Sequence, residues 1–487
     1  MSGTDLSSRT SPGAFSAREW GVLLVLCGAI FLEGIDVAML NVALPSIRAD
    51  LGLSTGSLHW VMSAYVLGYG GFMLVGGRAA DLFGRRRMFV LWLLVFLLFS
   101  GLGGLATEER TLIAARFVSG VAAAFMTPAG LSVITTGFEE GPRRTKALLF
   151  YSGTAAGGFS IGLVAGGLLT TIGWRWVFFA PVLLSAVVLV AALAFVPRQS
   201  PPDRTGQRLD LAGALTVTAA VVLLVLGVER AAHTGLAGTA GTLAAGLALL
   251  AAFVAVERRT AAPLVRLGLL RSAPLVRANL VGLLFAGGFF GFQFVLVLYL
   301  QELRGWSTLR TSLAMVVAGI DAVLSPVLTP RLVRRFGNAR VILAGLLLAA
   351  LAYALFLPLG ADWTYPVMLP GLILVGLAFA LAYGPLTIVA TEGVREEEQG
   401  LAGGLLYTSF QFGAALGLSA VTAVNVAATA SPAPDDLLAG YRAALAVPFG
   451  AVLLAALLAA FGLRRRKRDS RSKLRTSAPP RDASLKA

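Results

Sequence analysis

Cysteine is nearly absent from this 487-residue chain, which holds one, Cys27, together with two histidines and four lysines. A lone cysteine excludes a disulfide framework within the chain. His59 and His233 alone offer no metal cluster, and there is no Gly-x-x-x-x-Gly-Lys phosphate loop. The sequence therefore predicts no metal, no cofactor and no drive by ATP, and nothing in it marks an enzyme. Residues 1–19 are polar and lack a short apolar core ahead of a small-residue cleavage site, so no removable signal peptide is expected. Charge is scarce as well: 13% of residues are charged and 57% are hydrophobic. That balance excludes an ordinary soluble protein and implies an all-α integral membrane protein.

The charge that remains is unevenly distributed. The formal net charge is +15, and ten of the 40 basic residues follow Gly462. We read 464–487 as a cytoplasmic tail held near anionic lipid, and nucleic acid is not an expected partner. About 20 predominantly apolar residues cross a bilayer. Fourteen such runs can be traced, from 20–45 to 443–463, the seventh and eighth (211–229 and 236–256) being small and Ala-rich. Arginine clusters such as Arg85 to Arg87, Arg143 with Arg144, and Arg334 with Arg335 follow even-numbered runs. By the positive-inside rule these loops and both termini are expected in the cytoplasm.

Between the second and third runs lies Gly77-Arg-Ala-Ala-Asp-Leu-Phe-Gly-Arg-Arg-Arg87. Its glycines permit a tight reversal, and Asp81 is placed to meet helix N-termini or neighbouring arginines. The stretch resembles the loop joining helices two and three of the major facilitator superfamily, with Ala79 where that family usually has Leu. The resemblance implies a cytoplasmic gate formed by Gly77, Arg78, Asp81, Gly84 and Arg85. A degenerate copy, Pro330-Arg-Leu-Val-Arg-Arg-Phe-Gly337-Asn-Ala-Arg340, follows at an offset of 253 residues, with Arg334 in place of Asp81. Parallel repeats of this kind are the facilitator architecture. We therefore expect an N-terminal six-helix half at 20–196, a linker with two inserted helices at 197–278, and a C-terminal half at 279–463.

The first run contains two carboxylates, Glu33 and Asp36, one turn apart and so on one face. A charge at the bilayer centre costs roughly 2.5 to 3.5 kcal/mol on insertion scales, so neither is incidental, and the two should titrate as a coupled pair. The alternative is an Arg-paired or permanently neutral group that holds helices together. Asp36, Asn41, Ala43, Leu44 and Pro45 resemble the first-helix signature of the fourteen-helix drug:proton antiporters, with Ala38 where Thr is usual and Glu33 an extra acid. Arg116, in a stretch similar to that family's Arg-x-x-x-Gly motif, lies about 8 Å below its membrane edge and Asp36 about 14 Å below its own, at about 1.5 Å per residue. They are near enough in depth to pair, either as a static bridge or only transiently. Gly158, Gly162 and Gly166, a stripe that permits close helix approach, resemble the antiporter glycine motif, with Leu163 where Pro is expected.

In the second half Asp321 is a third intramembrane acid, suited to a cationic substrate or a second proton site, with helix packing as the alternative. Phe289, Gln293 and Gln411 are candidates for a cavity lining, although such phenylalanines face lipid equally well. Together the resemblances imply a bacterial cytoplasmic-membrane exporter acting as a monomer. It would exchange protons for amphipathic or cationic organic molecules, with Asp36, Glu33, Arg116 and Asp321 in coupling and Asn41, Phe289, Gln293 and Gln411 in binding. An importer or lipid-type flippase of the same fold, or a membrane sensor, are the alternatives.

Overall fold

The computed structural model describes residues 15–138, 142–197, 210–230, 235–260, 263, 268, 271–392, 394 and 399–476. Within them the chain forms fifteen α-helices: α1 (Ala17–Leu51), α2 (Thr55–Phe83), α3 (Arg85–Gly104), α4 (Glu109–Gly137), α5 (Pro142–Ile172), α6 (Trp176–Phe195), α7 (Leu211–Arg230), α8 (Gly235–Arg259), α9 (Ala273–Leu298), α10 (Thr308–Met315), α11 (Asp321–Phe336), α12 (Asn338–Phe356), α13 (Tyr365–Thr391), α14 (Gln399–Ala428) and α15 (Pro434–Thr476). A π-helical turn, Tyr299–Leu303, closes α9, and a 3₁₀ turn, Val316–Ile320, joins α10 to α11. Counting α10, that turn and α11 as one segment leaves fourteen, in keeping with the fourteen apolar runs. Eleven of the described helices are long and apolar enough to cross a bilayer.

Helix ends and hydrophobic ends do not coincide. The first run stops at Pro45, yet α1 continues through it to Leu51, and α15 extends through the basic residues that follow Leu463 to reach Thr476. Arg and Lys are good helix formers, and extending an existing helix needs no new nucleus. Polarity therefore ends the membrane run without ending the helix.

The repeat read at Gly84 and Gly337 recurs at two further joints with the same spacing. Gly52 and Gly305 end the first helical segment of each copy with φ of 64° and 61°. Ser54 and Ser307 then cap the next helix, each hydroxyl accepting from the backbone N–H three residues on. Gly84 and Gly337, with φ of 96° and 81°, make the abrupt turn at the basic motif. A positive φ of this size is a glycine conformation, so these positions carry the repeat although most side chains between them differ. Packing follows the same rule: α1 lies on α5 as α9 lies on α14, and α3 on α6 as α12 on α15. The two extra helices, α7 and α8, pack on each other, and α7 reaches α2 and α14, where the Thr218 hydroxyl donates to the Gly71 carbonyl at 2.7 Å.

Candidate functional site

The candidate site begins with an ion pair. Arg116 on α4 donates from Nη1 to Asp36 Oδ2 on α1 at 2.6 Å, with side chains 3% and 2% exposed. Its Nε donates to the Val61 carbonyl of α2 at 3.3 Å, and its guanidinium lies 4.5 Å from the Tyr65 ring centroid. One side chain thus ties three helices. The planar, permanently charged guanidinium suits this position because it can bond in-plane and stack at the same time.

One turn before Asp36, Glu33 lies 6% exposed in a different setting. The Tyr69 hydroxyl of α2 lies 2.6 Å from Glu33 Oε2 and 2.8 Å from Thr127 Oγ1 of α4. Thr127 Oγ1 in turn contacts Glu33 Oε1, and lies 2.9 Å from the Ala123 carbonyl. Neither Tyr69 nor Thr127 stands out in the sequence, since hydroxyl residues are common in apolar helices and nothing local relates them to Glu33.

Gly158, Gly162 and Gly166 seat the helix that carries both acids. A Cβ at these positions would lie 2.8 Å from the Phe31 carbonyl oxygen, 2.8 Å from Ile35 Cα and 2.6 Å from Met39 Cα. The stripe therefore lies against α1, where close backbone approach fixes the rotation of that helix. In the basic motif, Gly77 is half-buried with Pro128 Cβ 3.7 Å from a Cβ built on it, and Arg78 and Arg85 are half-buried. The side chains of Asp81 and Asp321 lie outside the described residues; the backbone of Asp321 opens α11 directly after the 3₁₀ turn.

Facing these groups, the second half presents a run of aromatic rings. Phe159 of α5 meets Phe289 of α9 at 6.2 Å between centroids, Phe289 meets Phe379 of α13 at 4.7 Å, and Phe379 stacks on Tyr383 at 5.0 Å. Tyr383 stacks on Phe410 of α14 at 5.1 Å, and its hydroxyl donates to that of Tyr407 at 2.9 Å. Phe289 is buried within this run and does not face lipid. Gln411 is half-buried at the α2–α14 contact, its Cβ 2.9 Å from a Cβ built on Gly70. Gln293 and Asn41 are each 2% exposed. Both amide heteroatoms of Gln293 and the Oδ1 of Asn41 have no protein partner.

At the end marked by Gly52 and Gly305 the two repeats are fastened together. Arg48 Nη1 pairs with Glu302 Oε1 at 2.5 Å, the Tyr441 hydroxyl donates to Glu302 Oε2 at 3.3 Å, and Gln301 Nε2 donates to the Val42 carbonyl at 3.0 Å. Towards the end carrying the basic motifs, by contrast, a Cβ built on Gly153, Gly157, Gly403 or Gly404 meets no heavy atom within 4 Å. The halves are thus fastened at one end, while these four glycines at the other have open space beside them. Glu302→Gln is expected to loosen the closed end. A cysteine placed at Thr308 in a Cys27→Ser background should then react with a soluble maleimide up to about fivefold faster, matching a partly exposed ion pair worth up to about 1 kcal/mol. An unchanged rate would mean that Arg48 and Glu302 do not hold this seam.

The Major Facilitator Superfamily family model matches residues 26–418, and the chain belongs to that family of membrane transporters. It is 36% identical over 479 residues to the puromycin resistance protein pur8 of Streptomyces alboniger, covering 94% of each chain. It is 37% identical over 443 residues to the cephamycin export protein CmcT of Amycolatopsis lactamdurans, covering 89% of this chain and 90% of that one. Among solved structures, the POT family transporter PepTSo superposes with a TM-score of 0.68 at 16% identity over 92% of this chain and 98% of that one, a likeness of fold.

Proposed function

We propose that the protein exports amphipathic organic compounds of the antibiotic class across the bacterial cytoplasmic membrane in exchange for protons. The observation that carries this reading is the buried acid pair on α1, placed in the half that faces the aromatic run of α9, α13 and α14. Relatives named for puromycin resistance and cephamycin export support the direction and the substrate class. Residues 20–196 and 279–463 act as two halves rocking about this centre, with 197–278 as an insert and both termini in the cytoplasm. On that orientation the Arg48–Glu302 seam is the external gate. Asp36, Glu33, Arg116 and Asp321 serve coupling, while Asn41, Phe289, Gln293 and Gln411 contact substrate. The basic-motif residues, Asp81 included, and the α5 glycines serve the gate. The chain works as a monomer without a cofactor, one proton moving down 100 mV supplying about 2.3 kcal/mol.

The test is uptake of radiolabelled puromycin into inverted membrane vesicles carrying the full chain. Uptake should need an acid interior and collapse on addition of a protonophore. Uptake indifferent to the proton gradient, or running in the opposite direction, would refute proton-coupled export. Maleimide labelling of sealed cells orients the chain, since reagent added outside should reach the Gly52 end.

A further inference from the structure

The two acids of α1 differ in their supply of protons. Asp36 faces a guanidinium that is always charged, so the pair is neutral as it stands. Glu33 faces hydroxyls; among the described residues no cationic group lies within salt-bridge distance of it. Four oxygen–oxygen contacts build its network: Tyr69 with Glu33 Oε2, Tyr69 with Thr127, Thr127 with Glu33 Oε1, and Thr127 with the Ala123 carbonyl. Only two hydroxyl protons are available to the four contacts, because the carbonyl and an ionised carboxylate accept without donating. If Thr127 donates to Ala123, as threonine in a helix commonly does to the carbonyl four residues back, its oxygen meets Glu33 Oε1 with no proton between them. A proton on Glu33 fills that contact. Tyr69 then donates to Oε2 and shares its proton with the nearby Thr127.

We propose that Glu33 is the acid that binds and releases the exchanged proton, that Thr127 and Tyr69 are its positioning residues, and that Asp36 with Arg116 is a fixed ion pair. In the arrangement described, Glu33 Oε1–H donates to Thr127 Oγ1. On release the O–H bond of Glu33 breaks and its proton passes to water, leaving the carboxylate. The Thr127 hydroxyl then swings from the Ala123 carbonyl to Glu33, so the ionised form gains a second donor as it loses its own proton. The carbonyl left behind keeps its helical N–H partner, which makes the swing inexpensive. The ionisable groups around Glu33 are Asp36 on its own helix, Tyr65 and Tyr69 on α2, Arg116 on α4, Tyr151 on α5, Tyr383 on α13 and Tyr407 on α14. The phenols are neutral near neutral pH and Asp36 is balanced by Arg116, so Glu33 is the member of this group free to change charge. Sequence resemblance favours Asp36 for this role, and the geometry points to its neighbour. Tyr383 and Tyr407 place the second half beside it, so a proton there is positioned to respond when the halves move.

This assignment rests on the reading of the chain as a proton-coupled exporter, and its test needs no substrate. Infrared difference spectra between acid and alkaline pH, taken on the full chain in lipid, should show a carboxylic-acid carbonyl band from Glu33. The band should vanish in Glu33→Gln and persist in the double variant Asp36→Asn with Arg116→Gln, which removes both buried charges together. It should move to higher wavenumber in Tyr69→Phe, where the carbonyl loses its donor, and stay in place in Thr127→Ser, which keeps the hydroxyl. Persistence of the band in Glu33→Gln, or its loss in the double variant, overturns the assignment. If the band behaves as expected and vesicles show no proton-driven export, the transport reading fails and the proton site stands.

Discussion

Arg116→Ala is expected to destabilise the protein by about 3–5 kcal/mol, the cost of leaving one member of a buried ion pair uncompensated. Three features place it at that level. Both side chains are almost completely buried, the contact is 2.6 Å, and the guanidinium also carries the Val61 carbonyl bond and the stacking on Tyr65. Arg116→Lys keeps the charge and loses the stacking and the second bond, so it should fall between wild type and Arg116→Ala. Adding Asp36→Asn to Arg116→Ala should restore much of the loss, because the buried carboxylate is then gone too. The quantity to measure is unfolding in detergent for both single variants and the double. Additive losses would show that the two groups act independently and that the contact is not a working pair.

The second large effect is expected from a single methyl group. In Gly413→Ala the new Cβ would lie 1.9 Å from the Leu283 carbonyl oxygen and 2.6 Å from its carbon, both backbone atoms of α9. No side chain can rotate out of the way, so α9 and α14 must separate. Overpacking of this kind costs about 1–3 kcal/mol and sometimes more. The damage should extend to transport, since α9 carries Phe289 and Gln293 while α14 carries Tyr407 and Gln411. Gly404→Ala, on the same helix, is the control: its Cβ would meet open space, and stability should hold. Thermal unfolding of the two variants side by side decides the matter, and equal stability would remove the α9–α14 seam as a structural element.

How much of this was legible beforehand varies by residue. Asp36 and Arg116 were readable as a pair because depth along a membrane helix follows from residue count, and both belong to recognisable motifs. The Glu33 contacts with Tyr69 and Thr127 were not readable, since they depend on which face of α2 and α4 turns towards α1. The glycines of α5 were recognisable as a close-packing stripe, yet the neighbour they pack against, α1, emerged only in three dimensions. Nothing in the sequence marks Arg48 as the partner of Glu302, which lies 254 residues away.

By itself the sequence determined the class of protein, the number of membrane runs and the 253-residue repeat, for the reason that a bilayer demands long apolar segments and sharp turns demand glycine at fixed places. Tertiary structure alone decided the rotation of each helix, and with it the Glu33 hydroxyl network, the aromatic run assembled from four helices and the end at which the halves meet. The physical reason is that these helices are apolar nearly all the way round. In lipid, hydrophobicity does not mark an inward face, and packing between backbones and buried polar groups makes that choice.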